Sequence, residues 1–286
     1  MTISRILVPL RGDGRGEYVL AHAAKLAHRY NAHIEAVHCR ARAEDYLPIG
    51  INVPAMLRDQ IRSAADTLAA EEEAALRDRF AGLLPALGLK MTDPADLAPR
   101  EPSAHFEEAK GKMVDVIRAR GRLADFVAVA QPDRDRNLGE NSLRTALFQT
   151  ARPALMCPPA EPPADFGAHI AIAWNGALEA TRAVALAQPI LRMTDRITVL
   201  DGGADHPRIS GEALLQYLSG HEVSAEIVEI DARNDPGAAI LKGAREVGAT
   251  MILAGAYGHS RQHEMIFGGA TQTIIDDADL AVLMAH

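Results

Sequence analysis

The sequence predicts an α/β fold built from two tandem, doubly wound parallel-sheet domains, Rossmann-like in plan. Three observations predict it. Short apolar runs alternate with helix-patterned stretches, the order of these runs occurs twice, and a proline-rich segment separates the two occurrences. Short apolar strands with helices between them require crossover connections, and so a parallel sheet covered on both faces.

The repeat is read from three pairs of segments. Ile6-Leu7-Val8-Pro9-Leu10-Arg11-Gly12 matches Ile170-Ala171-Ile172-Ala173-Trp174-Asn175-Gly176, the stretch Ala119–Ala130 matches Ala244–Gly255, and Ala151–Met156 matches Ala278–Leu283. The offsets are 164, 125 and 127, in order along the chain. The drop from 164 to 125 gives the first copy about 39 extra residues, and Met56 to Leu84 is their host. This stretch is rich in Ala, Leu, Glu and Arg, has no glycine before Gly82, and predicts a long amphipathic helix that packs against its own domain. Lys90 to Ser103, with Pro94, Pro99 and Pro102, predicts a loop.

Pro158-Pro159-Ala160-Glu161-Pro162-Pro163 has four prolines in six residues, a stiff extended linker. The domains are therefore placed at residues 1–157 and 168–286, with 158–167 between them. In the second, apolar runs are read at Ile170–Trp174, Ile197–Leu200, Ala225–Ile230, Met251–Ala254 and Leu280–Met284, with helices starting from Ala177, Ser210 and Asp235. Asp235-Pro236 makes an N-cap followed by proline at the first helical position. Gln272 to Asp277 is read as a short last helix.

The candidate site lies between the last two strands of the second copy. Gly255-Ala256-Tyr257-Gly258, nine residues, then Gly268-Gly269-Ala270-Thr271 place glycines at a strand exit and again at a helix start. Glycine lets a ligand approach the main chain closely, and a helix start offers unpaired N–H groups and the positive end of a dipole. Thr271 adds a hydroxyl. Trp174-Asn175, Asp201 and Gly255 all end strands, and ligands of such sheets sit at strand carboxyl ends where the strand order reverses.

Composition narrows the classes. The 286-residue chain is 48% hydrophobic and 24% charged, with a net charge of −8 that argues against a nucleic-acid partner. No run approaches the ~20 apolar residues that span a bilayer, and the five-residue run after Arg5 is too short for a signal-peptide core. Two cysteines, Cys39 and Cys157, form neither a disulfide framework nor a metal motif, so a reduced cytoplasmic location is expected. His259 and His263 have zinc-compatible spacing on a helix beside Glu264, without a third ligand, so no metal site is assigned. His38-Cys39 reads as a core edge. No Ser-His-Asp order, P-loop lysine or carboxylate pair stands out, so no catalytic residue is assigned.

On these residues the chain resembles a tandem universal stress protein. The paired halves, the Ile-Ala-Trp-Asn-Gly opening and Gly255-x2-Gly258-x9-Gly268 are similar to that family's pattern over the whole chain. The resemblance implies an adenine-nucleotide alpha hydrolase-like fold and a regulatory, stress-response role through ATP or AMP, with or without Mg²⁺, in the second copy. Ala173, Trp174 and Asn175 would meet the adenosine end, Leu200 the adenine, and Ala254 and Gly255 the ribose side. The backbone of Gly258, Gly268, Gly269, Ala270 and Thr271 would hold phosphates. It also implies an internal pseudo-twofold dimer through Ala154–Cys157 and Ala281–Ala285, and leaves a further homodimer open.

Two positions depart from the pattern. Gly269 stands where the nucleotide-binding branch prefers Ser or Thr, and Asn175 stands where many members have Asp. In the first copy, Gln131-Pro132-Asp133-Arg134 is read in place of Gly-Ala-Tyr-Gly, and Asp133, Asp135 and Glu140 would repel phosphate. That copy is read as degenerate. Any ATP hydrolysis would be slow, because neither a general base nor an arginine finger is identifiable. The competing readings are a scaffold that binds no nucleotide and acts through protein contacts on the long first-copy helix, and an enzyme or carrier acting on a small apolar or acidic metabolite in the same crevice.

Overall fold

The computed structural model describes residues 3–10, 14–40, 55–92, 101–203, 207–258 and 269–286. Eleven strands form one sheet. In the first half these are β1 (Arg5–Leu10), β2 (His33–Arg40), β3 (Lys90–Met91), β4 (Ser103–Lys110), β5 (Phe126–Ala130) and β6 (Ala154–Cys157). The second half has β7 (His169–Trp174), β8 (Arg196–Asp201), β9 (Glu226–Glu229), β10 (Met251–Gly255) and β11 (Ala281–Ala285). The first half carries helices α1 (Gly16–Tyr30), α2 (Ala55–Leu83), α3 (Met113–Arg120) and α4 (Glu140–Gln149). The second carries α5 (Leu178–Leu191), α6 (Gly211–Gly220), α7 (Pro236–Glu246) and α8 (Gly269–Asp277).

The sheet runs β3-β4-β2-β1-β5-β6-β11-β10-β7-β8-β9. Leaving aside β3, each half has the same order, and the order reverses once in each, between β1 and β5 and between β7 and β10. All pairings between these strands are parallel except that of β6 with β11, where the halves meet. There Met156, Leu155 and Ala154 lie opposite Val282, Leu283 and Met284. Each half thus covers the other's last strand, which would otherwise be an open edge.

Side chains alternate across this sheet, as the two-residue period requires. Ile6 and Val8 enter one apolar cluster with α1 and α5, while Leu7 enters the other with α3, α4, α7 and α8. Both clusters continue through β6 and β11, so neither core stops at the junction. Pro9 cannot donate to a ladder, and it lies beyond Leu7, the last β1 residue partnered on β5.

Several expectations change. Lys90–Met91 is a strand, not loop, and pairs in parallel with Ser103 and Ala104 at the sheet edge. β4, eight residues long, was missed because Glu107, Glu108 and Lys110 interrupt its apolar pattern. β9 is mostly exposed and does not have both faces covered. The last helix begins at Gly269, three residues before the predicted Gln272. The proline-rich segment is anchored at its end, where Phe166 is buried edge-on against His22 of α1 at 4.9 Å. Among the described residues no helix is long and apolar enough to cross a membrane.

Candidate functional site

β7 and β10 are partnered only from Ile170 to Ile172 and from Met251 to Leu253. Beyond those residues the two strands part, at the reversal of strand order. The opening is a cavity of about 420 Å³, within the range of small-molecule sites. Nine predicted residues line it: Ala173, Trp174, Asn175, Ala254, Gly255, Gly258, Gly269, Ala270 and Thr271. Leu200 does not. It is fully buried and faces α7, with its methyl carbons 3.4 Å from where a Cβ on Gly243 would stand. Gly268, His259, His263 and Glu264 lie outside the described residues.

The glycines have different reasons to be glycine. A Cβ on Gly255 would stand 2.4 Å from the Ala180 nitrogen and 2.6 Å from the Glu179 carbonyl carbon. Its first role is therefore to let the start of α5 rest on β10, not to admit a ligand. A Cβ on Gly258 would stand 2.7 Å from Glu179 Oε2. Gly269, in contrast, has nothing among the described residues within 4 Å of its missing Cβ, so on their side the start of α8 is open to approach.

The polar atoms around the cavity are partly engaged. Trp174 is buried, and its indole N–H donates to the Ile209 carbonyl at 2.9 Å, so the ring is fixed as a wall. Asn175 Oδ1 accepts from the Ala177 N–H at 3.0 Å, which orders the turn into α5. Thr271 Oγ1 accepts the Tyr257 N–H at 3.0 Å and so ties the loop after β10 to α8. This hydroxyl keeps its own proton to donate. Tyr257 takes a left-handed backbone, φ 60°, unusual for a residue with a side chain. Its ring packs 5.1 Å from Phe148 of α4, and burial raises its phenol pKa. The site loop therefore touches the first half.

Sequence reasoning missed the far wall, built by Gly202, Ile230 and Pro236, and missed Glu179. The signal for Glu179 was available, because counting from Ile6 and Ile170 places it opposite Arg15 of the first copy. The sheet register agrees with the repeat match of Ala130 to Gly255 and moves only the alignment of the glycine loop, by one residue. Ala130 lies opposite Cys157 as Gly255 lies opposite Ala285. Ala130, not Gln131, thus takes the place of Gly255, and Asp133 takes that of Gly258. In the first half Arg15 spans this place: it donates to the Gln131 carbonyl at 3.1 Å and pairs with Asp133 at 2.7 Å. Asp133 also pairs with Arg136, whose hydrogen bond holds its carboxyl below the usual range. The acid expected to repel phosphate is instead neutralised, and the ion pair bridges the crevice. Gln131 serves the junction, its amide donating to the Ile275 and Ala278 carbonyls at the end of α8.

One further polar cluster lies between β2, β4 and α3. Candidate ligand atoms of Glu35, His105 and Glu107 lie within 4.8 Å of one another. The Arg120 guanidinium donates to both carboxylates, so a protein cation already holds the place a metal would take. His33 bonds to Ser103 Oγ at 2.9 Å and to His105 at 2.6 Å. Burial, then the neighbouring His105 and Arg5, push His33 down to about 4. Cys39 is pushed up to about 11 by burial, which suits a core edge and not a nucleophile.

Neither a protein-family model nor a curated protein matches the sequence. Solved structures do match. A universal stress protein from Archaeoglobus fulgidus aligns over 98% of this chain and 97% of its own, at 14% identity and a TM-score of 0.66. A protein of unknown function from Pseudomonas aeruginosa aligns over 99% of this chain and 92% of its own, at 16% identity and a TM-score of 0.57. Fold and site together define a tandem α/β protein with a ligand-sized crevice at the strand-order reversal of its second half. Its fold is that of the universal stress proteins, two domains in one chain.

Proposed function

We propose that the chain is a regulatory binding module that takes an adenine nucleotide in its second half and leaves its first half empty. The observation that carries this reading is the contrast between equivalent places. In the second half the parted strands leave a cavity of about 420 Å³ that runs to the open start of α8. In the first half the Arg15–Asp133 pair bridges the crevice. Apolar walls suit a nucleoside, and main-chain N–H groups at a helix start suit a phosphate. The domain boundaries of this proposal remain 1–157 and 168–286, with Thr271 and the backbone of Gly258 and Gly268–Ala270 on the phosphate side. Occupancy would act on the junction through Tyr257, which rests on Phe148.

The test is mass spectrometry of the purified, gently denatured protein, followed by equilibrium dialysis against AMP. Co-purified or dialysable adenine nucleotide supports the reading. One observation, the Glu179 carboxylate in the lining, favours a second reading, an uncharged or cationic metabolite in the same cavity. A different small molecule released from the protein, with no uptake of AMP, would establish that reading instead.

A further inference from the structure

The carboxylate of Glu179 stands where a phosphate-binding site would be served by a cation. It lines the cavity from the first turn of α5, beside Gly258. It is the one charged side chain among the described residues that line the cavity. No Lys, Arg or His among the described residues pairs with it. The equivalent Arg15 of the first half points a guanidinium across the same strand-order reversal and meets Asp133. The repeat has thus exchanged charges: a helix cation facing a loop carboxylate in one half, a helix carboxylate facing a bare glycine in the other.

We propose that Glu179 sets the phosphate number the site accepts, and that the preferred ligand is a nucleoside or nucleoside monophosphate, not a triphosphate. This rests on the nucleotide reading above. The remaining wall is mostly apolar, Ala173, Ile230 and Ala254 among it, so the charge is less screened there than in open water. One phosphoryl group brings about −1.5 to −2 charge at neutral pH. The start of α8 and the Thr271 hydroxyl can serve one such group. Each further group adds negative charge to a lining whose only formal charge among the described residues is already negative.

The experiment is calorimetric titration of the full chain with adenosine, AMP and ATP at neutral pH in the presence of EDTA, for wild type, Glu179→Gln and Glu179→Arg. Circular dichroism verifies that all three are folded. In wild type, AMP should bind at least about tenfold more tightly than ATP. Glu179→Gln, nearly isosteric, should shrink that ratio severalfold while leaving adenosine affinity within about twofold. Glu179→Arg, which restores the charge of the first half, should bring ATP to or above AMP. An unchanged AMP-to-ATP ratio in Glu179→Gln, or a wild type that prefers ATP, overturns the role of Glu179 while the nucleotide reading stands. Absence of binding by all three ligands to folded wild type overturns the nucleotide reading, and this inference with it.

Discussion

At Gly255 an added methyl group would overlap the main chain of α5, whereas at Gly269 it would meet none of the described residues. The two positions give opposite predictions. Gly255→Ala forces β10 and α5 apart and should destabilise the fold by about 1–3 kcal/mol, the usual range for overpacking. A urea midpoint equal to that of wild type would contradict that packing role. Gly269→Ser adds a hydroxyl at the helix start without a clash. A hydrogen bond to a charged group contributes roughly 1.5–3 kcal/mol, so AMP affinity measured by calorimetry should rise about tenfold or more. No gain would place the phosphate elsewhere.

His33 contributes to the pH dependence, together with His22, His105 and His169, whose pKa values burial also lowers. Its pKa falls from 6.5 in the unfolded chain to about 4 in the fold, where it touches Ser103 and His105 and lies near Arg5. Between these values the unfolded chain binds more protons than the folded one. The stability that neutral His33 contributes is therefore complete above about pH 6.5 and is lost as pH falls toward 4. Urea midpoints at pH 7 and pH 5 should differ by less in His33→Gln than in wild type. An equal difference would assign the acid sensitivity to other groups.

At the scale of elements, what was legible followed from periodicity. The apolar runs of β1, β7, β10 and β11 stand out because parallel strands buried on both faces need continuous apolar sequence. α2 was legible from its long run of helix formers, and α7 from Asp235, whose Oδ1 accepts the Ala238 N–H at 3.0 Å. β4 was not legible, since its outer half carries Glu107, Glu108 and Lys110, of which Glu107 is paired by Arg120 of α3. β3, two residues long, carries no periodic signal at all. In the site, the glycine spacing pointed to the cavity at the reversal of strand order but not to the packing reason for each glycine. Gly255 answers to the main chain of α5, a contact between segments some 75 residues apart that no local pattern records. Leu200 was drawn into the site by a family resemblance, and the structure turns it toward α7.

For the whole molecule, the antiparallel β6–β11 pair joins two halves that share both apolar clusters. Such a molecule should unfold as one unit. The single tryptophan, Trp174, lies in the second half, so its fluorescence follows that half, while far-ultraviolet circular dichroism follows both. The two urea transitions should coincide. A fluorescence transition displaced from the circular dichroism transition would mean that the halves unfold separately.

At the same scale stands the central claim, that nucleotide binding is confined to the second half. Arg15, Gln131 and Asp133 bridge the first crevice, and the parted ends of β7 and β10 open the second. The most direct measurement is the stoichiometry of AMP in a calorimetric titration of the full chain. The account predicts one AMP per chain, with Arg15→Ala leaving the affinity of that site unchanged. Two sites per chain in the wild type, or none, would contradict it.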